Sequence, residues 1–136
     1  MTVSLKVVMR TITLEEHYVT PGFLNGPGRD FVERADSAGI SMAKVVEQLL
    51  EVGDQRVSAM DAASIDVQVL SLNAPGVEQM EAAASVALAR ETNDFVAAAM
   101  KRHPTRFGGF ATLPVGAPDK AADELGRMVR DHAFLD

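Results

Sequence analysis

The chain alternates segments that have two kinds of hydrophobic spacing, and this alternation restricts its fold more than any other feature. Three runs are rich in apolar and β-branched residues, as is typical of strands: TITLEEHY, IDVQVLSL and RFGGFATLP. Longer segments with helical spacing lie between and after them, and His103 and Pro104 end the longest one. Strands separated by helices predict a parallel sheet of right-handed βαβ units, so the expected fold class is α/β.

The element boundaries follow from the same spacing. We predict the second strand over residues 66–72, and two segments, RETND and DEL, as solvated helix faces. GFLNGPGRD has three glycines and one proline, so we predict a loop of tight turns over residues 22–30. The predicted helices cover residues 41–52, 55–63 and 77–102, and a last one begins at Pro118.

Composition restricts the function classes. The chain has no cysteine, so a metal ion could be held only by His, Asp or Glu. The net charge is −6, from 13 basic and 19 acidic residues, and no basic run occurs, so we expect no nucleic-acid partner. No segment has the roughly 18 uninterrupted apolar residues of a membrane span, and the N-terminus lacks a secretory signal. We therefore expect a cytoplasmic protein without a membrane partner.

The first strand ends in two carboxylates and a histidine. Strict alternation predicts that Thr13, Glu15 and His17 project from one face, whereas Glu16 points to the other. A carboxylate and an imidazole two positions apart can bind the same divalent ion, and Zn²⁺ is the first expectation and Mn²⁺ the second. A solvated strand end has the same pattern, so both interpretations are open at this point.

A second strand end favours the metal site. Asn73 follows the second predicted strand, in SLNAPG. The C-terminal ends of parallel strands lie side by side, so Asn73 is expected near Glu15 and His17. His103 and His132 are interpreted as helix-end or surface residues rather than ligands, because His103 lies at a predicted helix end before proline and His132 falls in the last predicted helix.

Three segments carry a family resemblance: TITLEEHYVTPGFL, MDAASIDVQVLSLNAPGV, and the long run that begins ARETNDFVAAAMKRHPTRFGGFATLP. In order and spacing, from about Thr11 to Phe134, they resemble the N-terminal part of the decarboxylase branch of the amidohydrolase superfamily. That branch includes γ-resorcylate, dihydroxybenzoate, 5-carboxyvanillate and aminocarboxymuconate-semialdehyde decarboxylases. Its members are metal-dependent (β/α)₈ barrels that remove CO₂ from aromatic or unsaturated carboxylic acids without an organic cofactor.

The resemblance implies roles for three residues. Glu15 takes the place of the first-strand carboxylate ligand, His17 that of the first-strand histidine ligand, and Asn73 matches a position that borders the substrate. It also implies a small carboxylic acid as substrate and a homo-oligomer for the full-length protein. Ser64 stands where relatives commonly have glycine, so we expect a slightly strained turn there.

The length suggests an incomplete barrel. A complete one takes roughly 250 residues, so residues 1–136 are predicted to form a single partial domain, the first three βα units. We expect this piece to contain no catalytic acid and to be inactive alone, because catalytic zinc usually has three protein ligands. Two alternatives stay open: a metal-dependent hydrolase of the same superfamily, and a non-catalytic α/β domain that dimerises through its open sheet.

Overall fold

The structure is a computed structural model, and it describes residues 9–132 and Phe134. Its centre is a parallel sheet of three strands in the order β1-β2-β3. The strands are β1 (Ile12–Tyr18), β2 (Val67–Leu72) and β3 (Phe107–Gly109). The predicted α/β class and the parallel sheet are confirmed, although β3 is shorter than the predicted run.

Six helices connect and follow the strands in the described part of the chain. Four lie between β1 and β2, one joins β2 to β3, and one follows β3. They are α1 (Pro21–Asn25), α2 (Arg29–Ser37), α3 (Ala43–Leu50), α4 (Asp54–Ala62), α5 (Ala82–Arg102) and α6 (Pro118–His132). Among these residues, no helix is both long and apolar enough to cross a membrane.

The predicted loop over residues 22–30 is confirmed only as a turn at residues 26–28, because α1 and α2 occupy the rest of the segment. Helix α1 forms there because Pro21 occupies its first turn and the Thr20 side chain accepts a hydrogen bond from the Phe23 amide, 3.1 Å away. Gly28 then precedes α2, and a Cβ at this position would collide with the buried Phe23 ring. This glycine therefore permits close packing, a role that its turn propensity does not reveal.

Two further boundaries show how caps decide a helix end. Helix α5 begins at Ala82 and not at residue 77, because the Glu81 carboxylate accepts hydrogen bonds from the amides of Ala83 and Ala84. At the end of α4, Ser64 has a φ of +56°, a left-handed conformation that is strained for any residue with a side chain. The strained turn expected at Ser64 is confirmed.

The core lies between one face of the sheet and the helices. Tyr18, Leu70 and Phe107 point from the sheet into this core, where Val96 of α5 and Met128 of α6 are also fully or almost fully buried. The ring of Tyr18 stacks on Phe95 at a centroid distance of 5.9 Å. We call this side of the sheet the helix-facing side and the opposite side the open side.

A buried polar cluster joins α5 and α6 to the segment after β3. The Asn93 side chain accepts a hydrogen bond from the Thr112 amide at 2.7 Å and donates to the Thr112 carbonyl at 2.9 Å. It also donates to Glu124 at 2.8 Å, and Arg127 binds both oxygens of that carboxylate. The prediction of solvated faces for RETND and DEL is therefore wrong at Asn93 and Glu124, which are 0% and 8% exposed.

Candidate metal and substrate site

A β-bulge interrupts the alternation of side chains in β1. Thr13 is in register with Gln68, and Glu16 is in register with Leu70. Leu14 and Glu15 of β1 therefore both lie opposite one residue of β2, Val69. The Thr13 hydroxyl oxygen is buried and, among the described residues, has no hydrogen-bond partner. The bulge places Thr13 and His17 on opposite faces, so the expectation that they share a face is wrong. Strict alternation could not reveal the extra residue.

Glu15 occupies the bulge with a strained backbone. Its φ is +57°, in the left-handed region that residues with a side chain rarely adopt, and its side chain is exposed. Bulges beside functional sites commonly redirect a side chain, and backbone strain is concentrated at such sites. The conformation of Glu15 is thus a second, structural reason to consider its carboxylate functional.

His17 lies on the open side near the C-terminal end of β1. It is in register with Ser71 of β2, and its ring Nδ1 is 3.3 Å from the Ser71 hydroxyl oxygen. The His17 carbonyl accepts a hydrogen bond from Nη2 of Arg56 at 2.7 Å. Neighbouring residues therefore hold both the backbone and the ring of His17, although the ring is exposed to solvent.

Arg56 of α4 supports the end of β1 from the helix-facing side. Besides His17, it donates from Nε to the Gln68 side chain at 2.9 Å and from Nη1 to the Glu51 carbonyl at 3.3 Å. Burial lowers the pKa of Arg56 from its ordinary value, and the charges of Glu16 and Glu51 partly offset this effect. Glu16 is half-buried near Arg56, on the side away from His17, as predicted.

Asn73 lies directly beside the end of β1. Its backbone amide donates to the Tyr18 carbonyl at 3.0 Å, so the ends of β1 and β2 meet as the parallel topology requires. The Asn73 side chain is half-buried, and Nδ2 donates to the Ala74 carbonyl at 3.2 Å. Among the residues that the structure describes, the other N–H and the side-chain oxygen of Asn73 have no partner, so they can bind another group.

A shallow depression of about 290 Å³ begins at Ser71 and runs between the ends of β2 and β3. Sequence reasoning missed it, because its far wall comes from the irregular segment after β3. Most of the residues that line it are apolar, and they include Leu72, Val77, Phe110, Leu113 and Val115.

The side chains of Glu15 and His17 are of the chemical types that bind divalent ions. A carboxylate oxygen and a neutral imidazole nitrogen are ligands for both Zn²⁺ and Mn²⁺. In the part of the chain that the structure describes, no group of three or more His, Asp or Glu residues could hold a metal ion. His103 instead lies 3.4 Å from Asp54, and His132 lies 3.3 Å from Arg127. The assignment of Glu15 and His17 as metal ligands stays a prediction.

Comparison with known proteins identifies the relatives of this chain. No family model matches it. A γ-resorcylate decarboxylase from Rhodococcus jostii is 38% identical over 129 residues, which are 91% of this chain and 36% of the relative. The dihydroxybenzoic acid decarboxylase from Polaromonas sp. JS666, solved with manganese and 2-nitroresorcinol, has a TM-score of 0.76 and 38% identity, covering 93% of this chain and 37% of the other.

A third relative acts on a different aromatic acid. The 5-carboxyvanillate decarboxylase from Novosphingobium aromaticivorans, solved with manganese and 4-hydroxy-3-methoxy-5-nitrobenzoic acid, has a TM-score of 0.81 and 28% identity, covering 92% of this chain and 40% of the other. The chain thus spans little more than a third of the length of these three relatives. Its homologues are metal-dependent decarboxylases of the amidohydrolase superfamily, and their fold is a (β/α)₈ barrel. The predicted resemblance is confirmed.

Proposed function

We propose that this chain forms the first three βα units of a metal-dependent carboxy-lyase, acting on an aromatic or unsaturated carboxylic acid. Glu15 and His17 are the proposed metal ligands, and Asn73 the proposed substrate neighbour. The observation that supports the proposal is the β-bulge with a left-handed φ at Glu15, two residues before His17 on the strand whose C-terminal end meets that of β2. In parallel barrels, catalytic residues come from these strand ends.

Each described residue of the site would have a separate role in binding the metal ion or the substrate. Glu15 would offer a carboxylate oxygen and His17 a ring nitrogen to the ion, which when bound supplies Lewis acidity and a template for the substrate carboxylate. The Asn73 amide would bind a polar group of the substrate, and the apolar side chains of the depression would cover its carbon skeleton. The resemblance implies that further His and Asp residues, including the proton donor, belong to later strands.

The sequence favours Zn²⁺ as the first expectation for the metal and Mn²⁺ as the second. The two solved relatives described above contain manganese, which supports Mn²⁺ as the first ion to test. A single partial domain over residues 1–136, a cytoplasmic location and a homo-oligomeric full-length enzyme remain predictions.

The ligand assignment can be tested by metal binding. We would measure the affinities for Mn²⁺ by electron paramagnetic resonance and for Zn²⁺ by competition, in the wild type and in Glu15→Gln and His17→Ala. Each variant should bind at least tenfold more weakly, since each loses one of two ligands. Glu16→Gln is the matched control, because it removes the neighbouring carboxylate on the other face. Equal affinities in all four proteins would refute the assignment.

The activity requires a second experiment. The protein encoded by the complete gene would be incubated with Mn²⁺ and either γ-resorcylate or 5-carboxyvanillate, and release of CO₂ would be measured. We expect turnover of an aromatic acid by that protein, its loss in His17→Ala, and none by residues 1–136 alone. Hydrolysis of an ester or amide without CO₂ release would instead indicate a hydrolase of the same superfamily.

A further inference from the structure

The His17 ring has one neighbour that could decide which of its nitrogens is free. His17 and Ser71 are cross-strand partners on the open side, and the Ser71 hydroxyl is 3.3 Å from Nδ1. Residues in direct register keep their side chains together, because the strand backbones fix both Cβ positions. Ser71 is therefore held beside His17 by the sheet itself.

We propose that Ser71 is a positioning residue for His17: its hydroxyl oxygen accepts a hydrogen bond from Nδ1–H and leaves the Nε2 lone pair to bind the metal ion. The inference rests on the proposed function, which makes His17 a ligand. A neutral imidazole carries one proton, so a proton on Nδ1 requires an unprotonated Nε2. Without an acceptor at Nδ1, either nitrogen could carry the proton, and the ring could bind metal through either.

Arg56 limits how the His17 ring can move, and it acts from the helix-facing side of the sheet. Its 2.7 Å hydrogen bond to the His17 carbonyl holds the backbone, so the ring can move only by rotation about its side-chain bonds. Such a rotation would break the contact with Ser71. In known metal sites, a neighbouring oxygen commonly accepts the second ring N–H of a ligating histidine, and its removal typically costs roughly 10- to 100-fold in metal affinity.

The distinguishing experiment is a measurement of the histidine tautomers by long-range ¹H–¹⁵N correlation spectroscopy. The chain has only three histidines, so His17 can be assigned with one variant, His17→Ala. Spectra of wild type, Ser71→Ala and Ser71→Thr would be recorded without metal and during a Zn²⁺ titration. In the wild type we expect a proton on Nδ1 and a Zn²⁺-induced shift at Nε2.

Ser71→Ala should lose the preference for a proton on Nδ1. It should also bind Zn²⁺ about tenfold more weakly, at the lower end of the range for residues that accept the second ring N–H of a ligating histidine. Ser71→Thr retains a hydroxyl and should restore both the tautomer and most of the affinity. A structural defect alone would change the affinity without changing the tautomer, so the spectra separate the two explanations.

The outcomes also separate this inference from the proposed function. If His17→Ala abolishes Zn²⁺ binding but Ser71→Ala changes neither tautomer nor affinity, the role of Ser71 is refuted and the ligand assignment stands. A Zn²⁺-induced shift at Nδ1 in the wild type would also refute the role of Ser71 and leave the ligand assignment intact. If His17→Ala binds Zn²⁺ as tightly as the wild type, the ligand assignment fails and the role of Ser71 fails with it.

Discussion

The molecule contains two groups of polar side chains that differ in almost every physical respect. The cluster of Asn93, Glu124 and Arg127 lies between α5 and α6, and Asn93 and Glu124 have their hydrogen bonds satisfied within the protein. Glu15 and His17, at the end of β1, are exposed, and Glu15 has a strained backbone. The first group stabilises the fold, whereas in the second the Glu15 carboxylate and Nε2 of His17 have no hydrogen-bond partner among the described residues.

Burial decides this difference. A buried polar group without a partner costs about 1–3 kcal/mol, so groups such as Asn93 must be fully paired in the folded protein. An exposed carboxylate or imidazole has no such requirement, because water can take the place of a partner. Substitutions should therefore reduce stability at the buried cluster and ligand binding at the strand end, and the two effects should be separable.

The largest effect on stability is expected at Asn93. Asn93→Leu retains the approximate volume but removes both polar groups, which leaves the Thr112 amide and carbonyl unpaired and weakens the support of Glu124. We expect the free energy of unfolding to fall by about 3 kcal/mol, from the sum of these losses. Denaturant titration monitored by circular dichroism would measure it.

Two controls make the comparison sharp. Asp94→Asn changes the adjacent residue, whose carboxylate is 52% exposed and lies 2.7 Å from Arg127, so its cost should be below about 1 kcal/mol. His17→Ala should change stability by less than about 0.5 kcal/mol, because the side chain is exposed. A His17 variant as unstable as the Asn93 variant would contradict the division into a structural and a functional group.

An intermediate effect is expected from Tyr18, which follows His17 but points to the helix-facing side. Burial raises the pKa of Tyr18 from 10.0 to about 12, and hydrogen bonds to Thr112 and Thr92 only partly oppose this. Because the pKa is raised in the folded state, the stabilisation is fully present below pH 10.0 and is lost as the pH rises towards 12. The loss should be of the order of 2–3 kcal/mol.

This prediction has a direct readout, because Tyr18 is the only tyrosine of the chain and there is no tryptophan. Ultraviolet absorbance would follow its ionisation, and denaturant titrations at increasing pH would follow stability. Tyr18→Phe should remove the tyrosine-dependent part of the alkaline destabilisation. An ordinary pKa near 10 in the folded protein would show that the ring is accessible to water, contrary to its 0% exposure.

The sequence predicted the parallel sheet and the strand ends more reliably than the details of the site. Strand-like and helical spacing are local signals, so the order of the elements and the position of Asn73 beside the end of β1 could be inferred. The bulge at Glu15 depends on the pairing of two strands far apart in sequence. The burial of Asn93 likewise depends on α6 and Thr112, so the local pattern suggested a solvated face.

The smallest effect concerns the two strained residues, which have nearly the same left-handed φ, +57° at Glu15 and +56° at Ser64. Glycine has no Cβ to clash in this conformation, so Ser64→Gly should raise the free energy of unfolding by about 1 kcal/mol, whereas Ser64→Ala should not.

Glu15→Gly should stabilise the protein similarly relative to Glu15→Ala, but both should weaken Mn²⁺ binding at least tenfold. Ser64 variants should retain wild-type Mn²⁺ affinity, since Ser64 lies in the turn after α4 and is not a proposed ligand. Stabilisation at Ser64 but not at Glu15 would mean that the bulge does not strain the backbone. Unchanged Mn²⁺ binding in both Glu15 variants would mean that the strain serves only the sheet.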